Sequence, residues 1–448
     1  MPDLIPISSP GAAPADWLAG WRTGPAATAS ETPEWLQSAR SAAAGNFERM
    51  GLPSRRVEDW RYTSLASLAE QNLDWSPPSV DVTRESLPAL VFGREADCRL
   101  VLVNGEVRPN LSSIPNLGDG VVLTSLSNAL GEDDDRVLRF LRQRLAEDGS
   151  SLKILNDSWL LDGYVLIVPD DTTIDMPIEI LSVGTGGVRP PAYQPRNLVI
   201  AGRRSHVTIV EYHIGLCIGS YFANIVTDID VGPEAIVRHC KVQDESKEAI
   251  HLALYSARLD SSAQLDSFSF TLGSRISRNE LRVRLEGLGA YCRLNGAYLV
   301  RENQHCDHTS VVSHASPETS SDQLYKGVLD GQASGVYQGK VVVHADAQKV
   351  EAHQMSRALL LSETSEVSTK PELKIHADDV QCSHGATAGE LDAEALFYLR
   401  SRGIPEIRAR QLLVEAFLNE AIDAVALAGM RLPLEQNVVR WMAERSGP

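Results

Sequence analysis

Basic charge is in short supply in this sequence: 42 Lys and Arg stand against 59 Asp and Glu, a formal net charge of −17. A nucleic-acid binder would need a basic face, and an anionic bilayer surface would repel such a chain, so neither is expected as a partner. The acidity reads as a solubility device, with a basic protein partner as the alternative. Long apolar runs are missing as well. No stretch approaches the ~18–20 residues needed to span a bilayer. Met1 to Pro14 lacks a basic segment followed by an apolar one, so no secretory leader is expected. Cysteine is sparse and scattered: Cys98, Cys217, Cys240, Cys292, Cys306 and Cys382 include no CxxC pair. In a chain this long that is not a disulfide framework, and a reducing cytoplasm is the simplest home.

Motifs for self-contained catalysis are absent too. Gly335-Val336-Tyr337-Gln338-Gly339-Lys340-Val341 has a superficial likeness to a phosphate loop, but only three residues separate its glycines. Val341 also stands where a Ser or Thr should hold magnesium. It reads as a strand bend, and no nucleotide is expected on this chain. Gly184-Thr185-Gly186-Gly187 reads as a turn. There is no GxSxG, and no Cys–His pairing has a third member to complete a nucleophilic triad.

What is present divides into three regions, in keeping with a chain of 448 residues. The first, residues 1–164, reads as mostly helical. It begins with about 30 residues rich in Ala, Pro, Ser and Gly, a flexible lead-in. Glu34 to Met50 follows as a helix, stopped by Gly51-Leu52-Pro53. Ser54 to Leu68, dense in charges and rings, reads as a polar surface turn locked by ring packing. Asn104-Gly105 is the turn of a short hairpin over 100–107. Asp133 to Glu147 is helical again, with Val137, Leu138, Leu141 and Leu145 on one stripe.

From about Val165 to Gly389 the helical period disappears, and short β-branched runs alternate with Gly, Asp, Asn and Pro breaks. Ser205, Ala235, Ala263 and Ala290 each open a strand-like segment with an apolar residue two positions on: Val207, Val237, Leu265 and Cys292. The spacings are 30, 28 and 27 residues, and Ser334 with Val336 is taken to continue the pattern. Such a period points to a solenoid, in which stacked coils share one core. A β-sandwich would show more two-residue hairpin turns. All eleven histidines fall between His206 and His384 and are expected mostly on the outer faces of the coils. The cluster His305-Cys306-Asp307-His308, with His314 nearby, lacks the paired doublets of a zinc site and reads as a polar loop.

The last region, 390–448, returns to helices. Asp392 is the expected N-cap of a helix ending near Arg402-Gly403, and Pro405 suits the first turn of a second. That helix carries Ile407, Val414, Leu418, Ala421 and Val425 as a stripe, with Phe417 beside it. A short third helix is expected over 432–442. Just before this appendage stand Cys382 and His384. On a strand, positions i and i+2 face one side, so a thiolate and an imidazole would line one surface together. Both are ligand types for iron–sulfur clusters, but two ligands are too few. Asp378 or Asp379 could add oxygen; otherwise a complete site draws on another chain.

Gly339-Lys340-Val341, Ala347-Gln348-Lys349, Leu359-Leu360-Leu361-Ser362, Lys370-Pro371-Glu372-Leu373 and Ala377 to Thr387 resemble, in order, the carboxy-terminal half of the SufD branch of the SufB/SufD family, scaffold subunits of iron–sulfur cluster assembly. Phe397-Tyr398-Leu399-Arg400-Ser401-Arg402-Gly403-Ile404 continues the likeness, and Ser54 to Thr63 is similar to the family's amino-terminal motif. The SufB branch carries a Glu-containing version in place of Cys382-Ser383-His384-Gly385-Ala386-Thr387. The resemblance implies a mainly β protein, a right-handed parallel β-helix flanked by helical regions. It implies a non-catalytic scaffold that pairs with SufB, each of the two binding one copy of SufC, an ABC-type ATPase that performs the hydrolysis.

The helices after Asp392 would dock SufC, with Phe397, Tyr398, Arg400, Ile407, Val414, Phe417 and Leu418 as candidate contacts. ATP binding in SufC would draw the two ATPases together and strain the SufB–SufD junction. Near that junction His384, with Cys382 beside it, would build a transient nascent cluster with a SufB cysteine. His376 stands where an aromatic is usual and is assigned no role. Reduced flavin is associated with complexes of this type, but no flavin motif is present here. A homodimer in the absence of SufB is left open. Two other classes compete: a β-helix carbohydrate-active enzyme, for which no converging acid and base side chains are evident, and a purely structural subunit.

Overall fold

In a computed structural model of the chain the described residues are 4–5, 33–75, 80–89, 98–147 and 149–444; most of the Ala- and Pro-rich lead-in lies outside them. Strands alternate between two ten-stranded, largely parallel sheets that form a solenoid with helices at both ends of the chain. In one sheet, His206–Gly215, Ile236–Asp244, Gln264–Thr271, Tyr291–Val300, Ser320–Leu329, Val350–Leu360 and Val380–Gly389 pair in succession. The strands between them in sequence, from Phe222–Val231 to Glu366–Ile375, pair likewise in the other.

The sequence repeat marks one corner of each coil. Arg204, Glu234, Ser262, Gly289, Glu318 and Lys349 all have φ between 52° and 69°, a left-handed step that turns the chain. The next residue, Ser205, Ala235, Ala263, Ala290, Thr319 or Val350, is fully buried, and the first four are Ser or Ala. Two positions on from the first four, Val207, Val237, Leu265 and Cys292 stack in register inside the coil. The continuation differs from expectation. Cys292 pairs with Ser321, then Ala352, then Cys382, whereas Ser334 belongs to the other sheet, paired with His305 and Glu366. In the second sheet the buried Ala249 and Ala333 precede their strands as Ala235 and Ala263 do in the first, so the small-residue signal alone does not tell the sheets apart.

Tyr164–Val168 begins at the expected boundary and pairs in parallel with Arg196–Ala201, but one strand of the sheets lies far earlier: Cys98–Val103 pairs in parallel with Ile178–Gly184. The hairpin forms on Asn104 and Gly105, both at positive φ. The helices of seven residues or more are α1 (Glu34–Met50), α2 (Asp135–Leu145), α3 (Ser151–Asp157), α4 (Ala393–Ser401), α5 (Glu406–Ile422) and α6 (Ala428–Glu444). Gly51 ends α1 at φ 71°, and Asp392 caps α4 by accepting from the amides of Glu394 and Ala395. The outward face of the first sheet, including Val242, Phe268, Phe270 and Val328, is covered by α5 and α6. The outward face of the second, including Phe222, Ile250, Leu252 and Ile276, is covered by the amino-terminal region.

The Ser54–Leu68 turn is a strap across that second face. Trp60 is buried under the Arg278 guanidinium, 4.2 Å from its ring centroid. Thr63 donates to Asp307, and Lys370, on the last strand of that sheet, reaches Glu58 at 2.6 Å.

The histidine expectation is overturned. His213, His239, His251, His308 and His314 are buried inside the solenoid, and only His206, His344, His353, His376 and His384 are exposed. The segment around His305 is a strand, His305–His314, and no loop. Gly335 and Gly339 lie in a regular strand, not a bend. A Cβ on Gly339 would come within 2.6 Å of the Tyr337 hydroxyl, so the glycine makes room for an interior ring.

Candidate functional site

Val380–Gly389 is the last strand of its sheet and Glu366–Ile375 the last of the other, so the final coil has an unpaired edge on each sheet. Cys382 is in register with Ala352 and His384 with Gln354, both buried at 3% exposure or less. Ser383 and its neighbour His353 point the other way, joined at 2.8 Å on the outer face. Because side chains alternate along a strand, Cys382 and His384 occupy the inward row at the solenoid's open mouth. Their Cα atoms are about 6.6 Å apart at the usual strand rise. Cys382 packs against the Val341, Val350 and Ala352 cluster, and burial pushes its thiol up from the ordinary range. His384 is exposed because no further coil covers it.

Asp378 and Asp379 do not complete the site. Both are exposed at the corner, where the Asp379 amide donates to Gln348. Among the described residues no three His, Cys, Asp or Glu side chains come together as a metal cage. Cys382 and His384 therefore remain a two-ligand fragment on an open face.

The docking candidates separate into two groups. Phe397 and Ile407 are 73% and 60% exposed. Tyr398 is exposed as well, as is Arg400, which pairs with Glu406 at 3.4 Å. Val414 and Leu418 are fully buried between α5 and the first sheet, where they hold the helix down and offer no surface in the single chain. Phe417 is half-buried, with the Lys326 ammonium 4.5 Å from its ring centroid. Lys326 also donates to Glu420, which Arg357 approaches at 3.2 Å. The stripe thus does two jobs, separated at about Ala409: α4 packs on the first part of α5 and projects, while the second part lies on the coils.

A second polar assembly, not foreseen from sequence, fills the solenoid interior. Glu211 accepts from Tyr164 at 2.6 Å and from Tyr255, with His213 and His239 at 3.4 and 3.5 Å. Burial pulls its carboxyl up, but the two histidines outweigh this and hold it well below the carboxylate range. Glu245 faces His251 at 2.8 Å and is likewise held down, to about 2. Lys241 donates to Asn279 and meets His251, and burial lowers it to about 8. Burial also lowers His251, His308 and His314 to about 4 each. The only available signal was alternation within each strand, as in Glu211-Tyr212-His213, read on the unexpected face.

The SufBD core domain of the SUF system for iron–sulfur cluster assembly matches residues 183–417, and the SufBD amino-terminal region matches residues 16–180. An iron–sulfur cluster assembly SufBD family protein of Synechocystis is 31% identical over 413 residues, 90% of each chain. The iron–sulfur cluster assembly protein SufD of Escherichia coli is 28% identical over 400 residues, 89% of this chain and 90% of that one. SufD of Bacillus subtilis is 26% identical over 422 residues, 92% and 94% of the two chains.

Proposed function

Since this chain belongs to the SufBD family of iron–sulfur cluster assembly proteins, we propose that it is a non-catalytic scaffold subunit that completes its cluster site only with a partner. In this reading a SufB chain pairs with the open end of the solenoid, and SufC binds the projecting hairpin of α4 and α5. His384, assisted by Cys382, contributes to a nascent cluster held at the SufB–SufD junction. The cluster is cargo, built and passed on. The cytoplasm is the proposed compartment; among the described residues no helix is long and apolar enough to cross a membrane.

The observation that carries this reading is the placement of Cys382 and His384 side by side on the inward row of the final, uncovered coil. Unpaired strand edges invite another chain's strand. A partner closing that mouth would bring further ligands to a thiol and an imidazole and would exclude water from them. Cys382 suits a late entry, because burial disfavours its thiolate until a positive charge such as iron arrives. The exposed Phe397, Tyr398 and Ile407 give the hairpin an apolar surface, and Arg400 lies beside it.

The test is co-expression of the chain with SufB and SufC, comparing the native protein with His384→Ala and Cys382→Ser. Subunit ratio and cluster content of the purified complex are measured together. His384→Ala is expected to abolish most cluster formation while leaving the complex intact. Full cluster content with an intact complex would refute the site and leave the chain as a structural partner.

A further inference from the structure

Directly beneath His384, one coil further in, lies a carboxamide with no partner. Gln354 is 3% exposed and in register with His384, and neither its Oε1 nor its Nε2 has a hydrogen-bond partner among the described residues. The row continues inward to Gln323. There Oε1 accepts from the Ser310 hydroxyl at 2.5 Å and the Tyr337 hydroxyl at 3.3 Å, while Nε2 is unpartnered. A buried polar atom left unpaired is costly, so an amide with both ends free, one coil in from an open mouth, points to a group that arrives there. His384 is the residue of the final coil in register with it.

We propose that Gln354 is a positioning residue for His384. Its carboxamide oxygen accepts a hydrogen bond from the inward ring nitrogen of His384, leaving the lone pair of the other nitrogen facing out of the mouth. An imidazole that binds a metal through one nitrogen needs its other N–H held by an acceptor, which fixes tautomer and ring orientation. A carboxamide oxygen has two lone pairs, so it can serve the Gln323 amide and the imidazole together. The inference rests on the cluster role of His384 proposed above, and Gln354 itself would touch no iron.

Three variants test it: Gln354→Leu, Gln354→Met and Gln354→Glu. Leu and Met remove the acceptor, and Met matches the unbranched shape should Leu disturb the coil; Glu keeps an acceptor of the same length. The first readout is the ¹⁵N spectrum of the His384 ring in the purified full-length chain at a fixed pH of about 8. Its signal is identified by loss in His384→Ala. One tautomer should dominate in the native protein and in Gln354→Glu, and a mixture should appear in Gln354→Leu and Gln354→Met. The second is cluster content of the co-expressed complex, expected to fall ~10-fold for Leu and Met, as for other partners of metal-bound histidines, and to be largely retained for Glu.

Identical ring spectra in all variants, with native cluster content, would overturn the assignment and leave Gln354 hydrated by an ordered water only. Full cluster content in His384→Ala would instead overturn the cluster reading itself, whatever the ring spectra show.

Discussion

Replacing Leu418 and replacing Phe397 should have opposite consequences, although both lie in the helical appendage. Leu418 is fully buried on α5, packed with Val328, Ala297 and Leu299 of the first sheet. Truncation to Ala removes buried methyl groups and leaves a cavity, at a cost of about 2–5 kcal/mol. That loss should appear first as local unfolding of α5 and α6, a small helical unit on a large β scaffold. Faster amide hydrogen exchange across Glu406–Ile422, with unchanged protection in the coils, is the expected signature. Phe397 is 73% and Ile407 60% exposed, so Phe397→Asp and Ile407→Asp should change stability by no more than about 0.5 kcal/mol. If α4 and the start of α5 carry SufC, these two variants should lose SufC on co-purification while their hydrogen exchange and urea midpoints stay native. The reasoning is refuted if both Asp variants retain SufC at the native ratio, or if Leu418→Ala exchanges like the native chain yet loses SufC.

The interior histidines predict acid sensitivity. His308 and His314 are buried and lowered from 6.5 to about 4, so below about pH 6.5 the unfolded chain binds protons that the folded one refuses. Their contribution, roughly 3 kcal/mol each, is fully present above that pH and is lost as pH falls toward 4; His314→Gln should flatten urea midpoints measured across this window. Thr63→Val should cost about 1–3 kcal/mol, because Asp307 loses the strap's hydrogen bond; a native urea midpoint would show that the strap is not held there. Glu420→Ala leaves the buried Lys326 with only the Phe417 carbonyl. It should destabilise by less than the ~3–5 kcal/mol of a fully buried pair, since Glu420 is half exposed, and exchange at α5 should quicken.

Much of the architecture is legible in the sequence. Ser or Ala recurs at the first four corners, where the residue after the αL step is fully buried, and the apolar residue two positions on faces the core. Helix ends could be read from Asp392, Gly403 and Gly51, where caps and left-handed residues have few substitutes. Other features were not legible. Ala333 precedes Ser334 just as Ala235 and Ala263 precede strands of the first sheet, so the repeat extends to Ser334 although it lies in the other sheet. Cys98–Val103 reads in the sequence only as one arm of a hairpin inside a mostly helical region, because its parallel partner Ile178–Gly184 is distant in sequence.

Polar residues were the hardest. Glu211, His213, Lys241 and His251 alternate like an exposed face, and only the neighbouring coils show that this face points inward, where each charge finds a partner. The same holds for the stripe on α5, since Ile407 and Leu418 have equal hydrophobicity but one lies on a coil and the other beyond it.

The sequence by itself determined that Cys382 and His384 share one side of a strand, because alternation is a local property of extended backbone. That this side is the inside of the last coil, with an empty-handed Gln354 below and nothing above, was decided by tertiary structure. Which strand is last, and which face of it is covered, depends on how many coils stack before the chain turns back into helix.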